Sequence, residues 1–210
     1  AKTVGGDFYD FFVLNDGRMG LVMADVSGKG IPAALLMAKA MTLIRAFAIL
    51  DVPPGEALRM ANDDLAREND AAMFVTVFLA VLDPLSGQLV YANGGHNHSI
   101  LMRKGELSLL DGADGVPLGT MDGMTFEQTT LQLAAGDVLY MFTDGVNEAM
   151  TTTYEEFGDP RMHAVLKSLE TQSVAEISHG IVAAVRAHAA EAEQSDDITV
   201  MTLRWRGKTA

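Results

Sequence analysis

At 210 residues, with 49% hydrophobic and 20% charged side chains, the chain has the length and composition of a globular fold rather than a disordered one. A net charge of −13 argues against a phosphate-backbone binder, so nucleic acid is not an expected partner. Charged, Gly or Pro residues break every apolar stretch before the ~20 residues a membrane span needs, and the absence of cysteine fits a reducing, cytoplasmic compartment.

In chain order, "DFYDFFVLNDGRMGLVMADVSG" predicts a hairpin turning at Asn15-Asp16-Gly17. In its second strand Leu21, Met23 and Asp25 share a face, because strand side chains alternate. "PAALLMAKAMTLIRAFAI", from Pro32 to Ile49, predicts a helix, largely buried because so much of it is apolar. A second helix is expected from Pro54 to about Glu68, stopped near Asn69-Asp70. Short strands follow: "MFVTVFLAVLD" turning at Pro84-Leu85-Ser86-Gly87 into "QLVYANGG", then "HSILMRKGELSLL" with a turn at Lys104-Gly105. "FEQTTLQL" then leads through Ala134-Ala135-Gly136-Asp137 into "VLYMFTDG". Helices are expected from Met162 to Glu170 and Val174 to Glu193, before a closing strand, "DITVMTLRW". Hairpins and paired helices, rather than βαβ crossovers, predict an α+β layered fold with antiparallel sheets covered by helices.

Acids stand where these strands end. Asp25 and Asp144 each follow an apolar run and precede a glycine; Asp7 follows Gly5-Gly6 and precedes a strand; Asp196-Asp197 precedes the last one. An acid at a strand end is delivered to the rim of a sheet, where neighbouring glycines permit close approach. A single such Asp is commonly a turn residue. Gly5-Gly6-Asp7 alone therefore fits a plain turn, a nucleotide-cyclase loop, or a carboxylate offered to a metal. Oxygen-only ligands suit Mg²⁺ or Mn²⁺ rather than zinc. If residues 7 to 14 form a regular strand, Asp7 and Asp10 point to opposite faces.

The segments "VGGDFYD", "ADVSGKGIPAALLMA", "ANGGHNHSIL", "PLG", "YMFTDGVNEA" and "SDDITVMTLR" resemble, in order, the SpoIIE/RsbU-like bacterial branch of the metal-dependent PPM (type-2C) Ser/Thr protein phosphatases. The resemblance runs from Val4 to about Arg204. It implies one phosphatase domain over residues 1–210, an αββα sandwich, with two Mn²⁺ or Mg²⁺ ions and a candidate third at one end of the sheets. It implies Asp7 and Asp25 as metal ligands, Asp25 bridging, with the Val26 carbonyl on one ion. Asp144 and Asp196 complete the other shell, and Asp197, at a position that is often Asn in the wider family, ranks behind Asp196. It favours Asp7 over Asp10, leaving Asp10 a structural hydrogen bond or ion pair.

The implied reaction is in-line attack on a phosphoserine or phosphothreonine by a metal-bound hydroxide, with Asp7, Asp25 and Asp144 as the catalytic acids and no covalent intermediate. The chain has no Cys nucleophile, no GxSxG and no HExxH. The implied substrate is a phosphorylated STAS-type anti-sigma-factor antagonist. An upstream sensor or receiver domain and a homodimer are further expected partners, with the opening "AKTVGG" read as the start of a domain excised from a longer regulatory protein. Two alternatives remain: a catalytically weak adaptor on the same fold, and a cyclase. The cyclase would need Gly-Gly-(Asp/Glu)-Glu-Phe in mid-domain, whereas Phe8-Tyr9 follows Asp7 here.

Smaller motifs are ambiguous. "SGKG" lacks a Walker A pattern, since Met23 and Gly30 stand where a glycine and a Ser or Thr are required. Lys29 is then either a solvated lysine or a phosphate neighbour. His96 and His98 read first as structural turn histidines, and His96 second as a neighbour of an additional metal. Ser27 stands where the eukaryotic-type enzymes carry a proposed general-acid histidine, as is common in the bacterial branch; metal-bound water is then the simplest proton donor. By resemblance, residues 31–49 lie near helices that move when RsbU-like phosphatases switch on.

Overall fold

The computed structural model describes residues 5–67, 69 and 72–208. Strands β1 (Phe8–Val13), β2 (Met19–Val26), β3 (Val75–Leu82), β4 (Gln88–Gly94) and β7 (Thr129–Gln132) form a five-stranded antiparallel sheet in the order β1-β2-β3-β4-β7. Strands β5 (Ile100–Arg103), β6 (Glu106–Leu109), β8 (Val138–Phe142) and β9 (Val200–Arg204) form a four-stranded antiparallel sheet in the order β6-β5-β8-β9. Helices α1 (Ile31–Ala48) and α2 (Pro54–Ala66) cover the first sheet, and α3 (Gly158–Leu169) and α4 (Val174–Ala189) cover the second. The α+β expectation of antiparallel sheets flanked by helix pairs is therefore met.

Alternation sorts the side chains into three apolar layers. In β2, Val22, Ala24 and Val26 face α1 and α2, while Leu21 and Met23 face the second sheet together with Phe78, Leu89, Leu139 and Met141. Ile100, Met102, Val138 and Tyr140 turn outward onto α3 and α4. The first hairpin turns through Gly17 at φ +90°, a left-handed conformation that costs a residue without Cβ little. Ser173 caps α4 by accepting from the Glu176 backbone N–H, while the Glu176 carboxylate accepts from the Ser173 N–H, a reciprocal pair that fixes where the helix begins.

Two sequence expectations need adjustment. Helix α1 is not largely buried: only Ala33, Ala40, Ile44 and Ala48 are, and Ile31 and Leu35 stand about 70% exposed (72% and 68%). Its buried residues recur every four or seven positions, so one narrow stripe meets the sheet while Leu and Met are distributed around the rest. It is also long and apolar enough to cross a membrane by composition, although its buried stripe packs on the sheet. Helix α4 ends at Ala189, short of the expected Glu193, because Ala190 takes φ +49°. The expected end of α2 near Glu68 and Asp70, and the start of the motif at Val4, lie outside the described residues.

Candidate metal and phosphate site

Strand register brings the acids together. Phe8 pairs with Ala24, so the start of β1 and the end of β2 lie at one edge of the first sheet. Phe142 pairs with Val200, so the end of β8 and the start of β9 lie at one edge of the second. Two contacts bind these edges to each other. The Thr143 hydroxyl donates to Asp7 Oδ2 at 2.6 Å, and His96 spans from Thr76 Oγ1 at 2.9 Å to the Phe142 carbonyl at 3.1 Å. Asp7, Asp25, Asp144 and Asp196 therefore converge on one end of the sandwich, next to a cavity of about 290 Å³ bordered by Gly6, Asp25, Val26, Lys29, Asp196 and Asp197.

The crowding shows in the electrostatics. Burial first, then a hydrogen bond and the charge of Asp7, and then the charges of Asp144 and Asp196, push the Asp25 carboxyl up to about 8. Burial raises Asp7 as well, against the hydrogen bonds it receives from Thr143 and Thr199. Burial and the Asp196 charge raise Asp144, with Lys29 acting the other way. Carboxyls that cannot all ionise beside one another are matched to a bound cation. The Lys29 ammonium already lies 3.3 Å from Asp196 Oδ2 and donates to the Ser195 carbonyl at 2.5 Å. It is a lysine ion-paired on the rim, not one free in solvent. Among the described residues, no three acidic or histidine side chains close into a ready ligand cage. The donors are nevertheless all oxygens, carboxylates plus the Val26 carbonyl at the cavity wall, and that chemistry fits Mg²⁺ or Mn²⁺.

The glycines make the convergence sterically feasible. A Cβ on Gly6 would stand 2.7 Å from the Val26 carbonyl oxygen, one on Gly5 would overlap the Asp197 carboxylate, and one on Gly145 would overlap the Asp197 carbonyl. Strand β1 begins at Phe8, after Asp7; within it Asp10 shares the α1 face with Phe8 and Phe12 and lies 3.2 Å from Arg45, the ion pair expected of it. Ser27 is occupied structurally: its Oγ accepts from the Phe74 N–H at 2.8 Å. His98 pairs with Asp114 at 2.6 Å.

His96 is a structural tie. It is 6% exposed, and since the Phe142 carbonyl can only accept, Nε2 carries the proton and Nδ1 accepts from the Thr76 hydroxyl. Burial pulls its pKa down to about 4. A folded pKa below the ordinary 6.5 means that His96 supports the fold fully above pH 6.5 and progressively less as pH falls through 4. His96→Phe is expected to lower stability by about 2 kcal/mol, removing the donor to the Phe142 carbonyl and leaving the Thr76 hydroxyl only the long 3.4 Å contact with the Asp25 carbonyl, and to flatten the acid limb of the melting-temperature profile. Its Mn²⁺ affinity by calorimetry should stay within a few-fold; a larger loss would give His96 a part in holding metal.

Thr143 and Thr199 are site residues that sequence reasoning passed over. The Thr143 hydroxyl donates to Asp7 and accepts from the Thr199 N–H at 3.2 Å, so the threonines of "FTDG" and "DDIT" hold the carboxylate contributed by "GGD". Their closeness in sequence, Thr143 next to Asp144 and Thr199 two residues after Asp197, was the available signal.

Comparison with known proteins places these features in context. The family model described as Stage II sporulation protein E (SpoIIE) matches residues 15–206. Protein IcfG of Synechocystis sp. is 31% identical over 97% of this chain and 36% of its own length. Phosphoserine phosphatase RsbU of Bacillus subtilis is 32% identical over 72% of this chain and 45% of its own. The chain thus spans between about a third and a half of these curated relatives. Among solved structures, the PP2C phosphatase domain of SpoIIE with a fragment of its regulatory domain, from Bacillus subtilis, superposes with a TM-score of 0.83 at 23% identity, covering 96% of this chain and 58% of that one. The catalytic domain of the serine/threonine phosphatase PstP, in complex with two manganese ions, superposes at 0.68 with 18% identity, covering 95% and 90% of the two chains.

Proposed function

The chain belongs to the SpoIIE family, SpoIIE/RsbU-like phosphatases of the PPM class, and on that premise we propose that it hydrolyses phosphoserine or phosphothreonine on a small regulatory protein with the help of Mn²⁺ or Mg²⁺. The observation that carries the reading is the meeting of Asp7, Asp25, Asp144 and Asp196 at one rim, crowded enough to hold a proton on Asp25 up to pH of about 8. Bound divalent ions would supply water of lowered pKa and neutralise phosphoryl charge.

The chain's own residues do the positioning. Asp7 is held by Thr143, and the hydrogen bond of Asp25 with Asp7, together with the charges of Asp144 and Asp196 that bear on it, supports Asp25 as the ligand that would link the two halves of the donor set. The Gly6 backbone leaves room for the Val26 carbonyl to turn into the cavity. Lys29 lines the same cavity beside Asp196 and would bring a positive charge towards the incoming phosphoryl oxygens. Asp197 is held in reserve beside Gly5.

The likeness to a protein named phosphoserine phosphatase RsbU supports phosphoserine as the target, and the substrate we propose is a phosphorylated STAS-type anti-sigma-factor antagonist. The span of the relatives beyond the matched region supports a place for this domain in a longer protein; a cytoplasmic regulatory protein with an upstream sensor or receiver domain, able to dimerise, is the form we propose for it. Incubation with a phosphorylated STAS protein tests the proposal. Phosphate release should require Mn²⁺ or Mg²⁺, stop with EDTA and return when metal is restored. Metal-independent binding without release would replace the enzyme by an adaptor on the same fold.

A further inference from the structure

Beside the loop that carries Asp196 lies a second cavity of about 260 Å³, whose apolar walls are Ala149, Met150, Val185, Ala189, Ala192 and Ile198 and whose lining also includes the charged Arg186 and Glu193. Val185 and Ala149 form a buried floor, while Met150, Ala189, Ala192 and Ile198 are half-buried, so the apolar interior opens outward. The space has a local cause. Helix α4 stops at Ala189, the chain reverses at Ala190 with φ +49°, and alanines stand where longer side chains would have filled the corner.

The two cavities share a wall: Gln194, Ser195 and Asp196 border both. Gly145, next to Asp144, borders the apolar one as well. A polar cation-and-phosphate site has no need of an apolar hollow against its rim. An extended polypeptide does, since its residues advance about 3.3 Å each and a phosphorylated residue in the first cavity carries its neighbours over the wall. The volume, at the small end of what ligand sites span, is ample for a single aliphatic side chain.

We infer that this apolar cavity is a specificity subsite that receives one aliphatic side chain flanking the phosphorylated residue of the protein substrate. The inference rests on the phosphatase reading of the adjoining site and names what that site selects. Burial of one Leu or Ile side chain is worth about a tenfold to hundredfold difference in KM.

The test uses phosphoserine peptides with leucine or asparagine at each of the three positions on either side, and p-nitrophenyl phosphate as a substrate without flanks. The 210-residue protein should favour leucine at one position by at least about tenfold in KM. Ala189→Phe fills the cavity from the helix and should erase that preference while leaving Mn²⁺-dependent hydrolysis of p-nitrophenyl phosphate within twofold. Ala192→Phe fills the same space from the loop and serves where the helix variant does not fold. Equal KM for all peptides, or a preference that survives in both filled variants, overturns the subsite. Failure to hydrolyse p-nitrophenyl phosphate or any peptide overturns the phosphatase reading itself, and the subsite with it.

Discussion

Asp25→Asn is expected to lower phosphate release by about a thousandfold or more while raising the melting temperature of the metal-free protein. Both effects follow from one fact: Asp25 is the carboxyl on which the charges of Asp7, Asp144 and Asp196 all bear. Asparagine keeps the shape, can donate to Asp7, and removes one charge from the cluster. Asp25 remains partly open to solvent, so the gain must be discounted for screening to about 1–2 kcal/mol, or roughly 2–8 °C for a domain of this size.

The pH dependence carries the sign. The folded pKa of Asp25 stands above its unfolded value of 3.8, at about 8, so its contribution is fully present below pH 3.8 and is lost as pH rises through 8. His96 acts in the opposite sense on the acid side, so the difference between wild type and Asp25→Asn isolates the carboxyl. In EDTA, calorimetry should show that difference widening from pH 5 to pH 8. Mn²⁺ should raise the wild-type melting temperature more at pH 8 than at pH 6, because a proton and a cation compete for the same oxygens. Retention of more than a tenth of the activity in the variant would remove Asp25 from the centre of the site.

Much of this was legible in the sequence, for physical reasons particular to each element. The hairpin ending in Asp25 shows a period of two, and that period also puts Asp10 on the face of Phe8 and Phe12, where Arg45 meets it. The extent of burial on α1 was not legible, since a helix rich in Ala, Leu and Met has apolar residues on every side and composition does not tell which stripe meets a sheet. The end of α4 was missed because alanine gives no stop signal, and Ala190 turns the chain only in its tertiary setting. Contacts such as Thr143 to Asp7 join residues 136 apart, and local periodicity carries no information about such pairs. The contact between Lys29 and Asp196 is of the same kind.

The glycines allow the rim to be tested without touching a carboxylate. Gly145→Ala should be the most damaging, because its Cβ would overlap the backbone carbonyl of Asp197, and only movement of the loop bearing Asp196 relieves it. Gly6→Ala follows, with Cβ 2.7 Å from the Val26 carbonyl oxygen and 3.4 Å from Asp25 Oδ1. Displacements near 1 Å at a reacting centre cost about a hundredfold, so both variants should lose at least that in phosphate release and bind Mn²⁺ more weakly. Gly5→Ala is different in kind. Its Cβ meets the end of the Asp197 side chain, which can rotate away. If Asp196 is the ligand and Asp197 its neighbour, Gly5→Ala should stay within tenfold of wild type. A loss in Gly5→Ala as deep as that in Gly145→Ala would transfer the ligand role to Asp197. Activity retained in Gly145→Ala, with the fold intact by calorimetry, would separate the last-strand acids from the chemistry and leave Asp7 and Asp25 to hold the cation with Asp144.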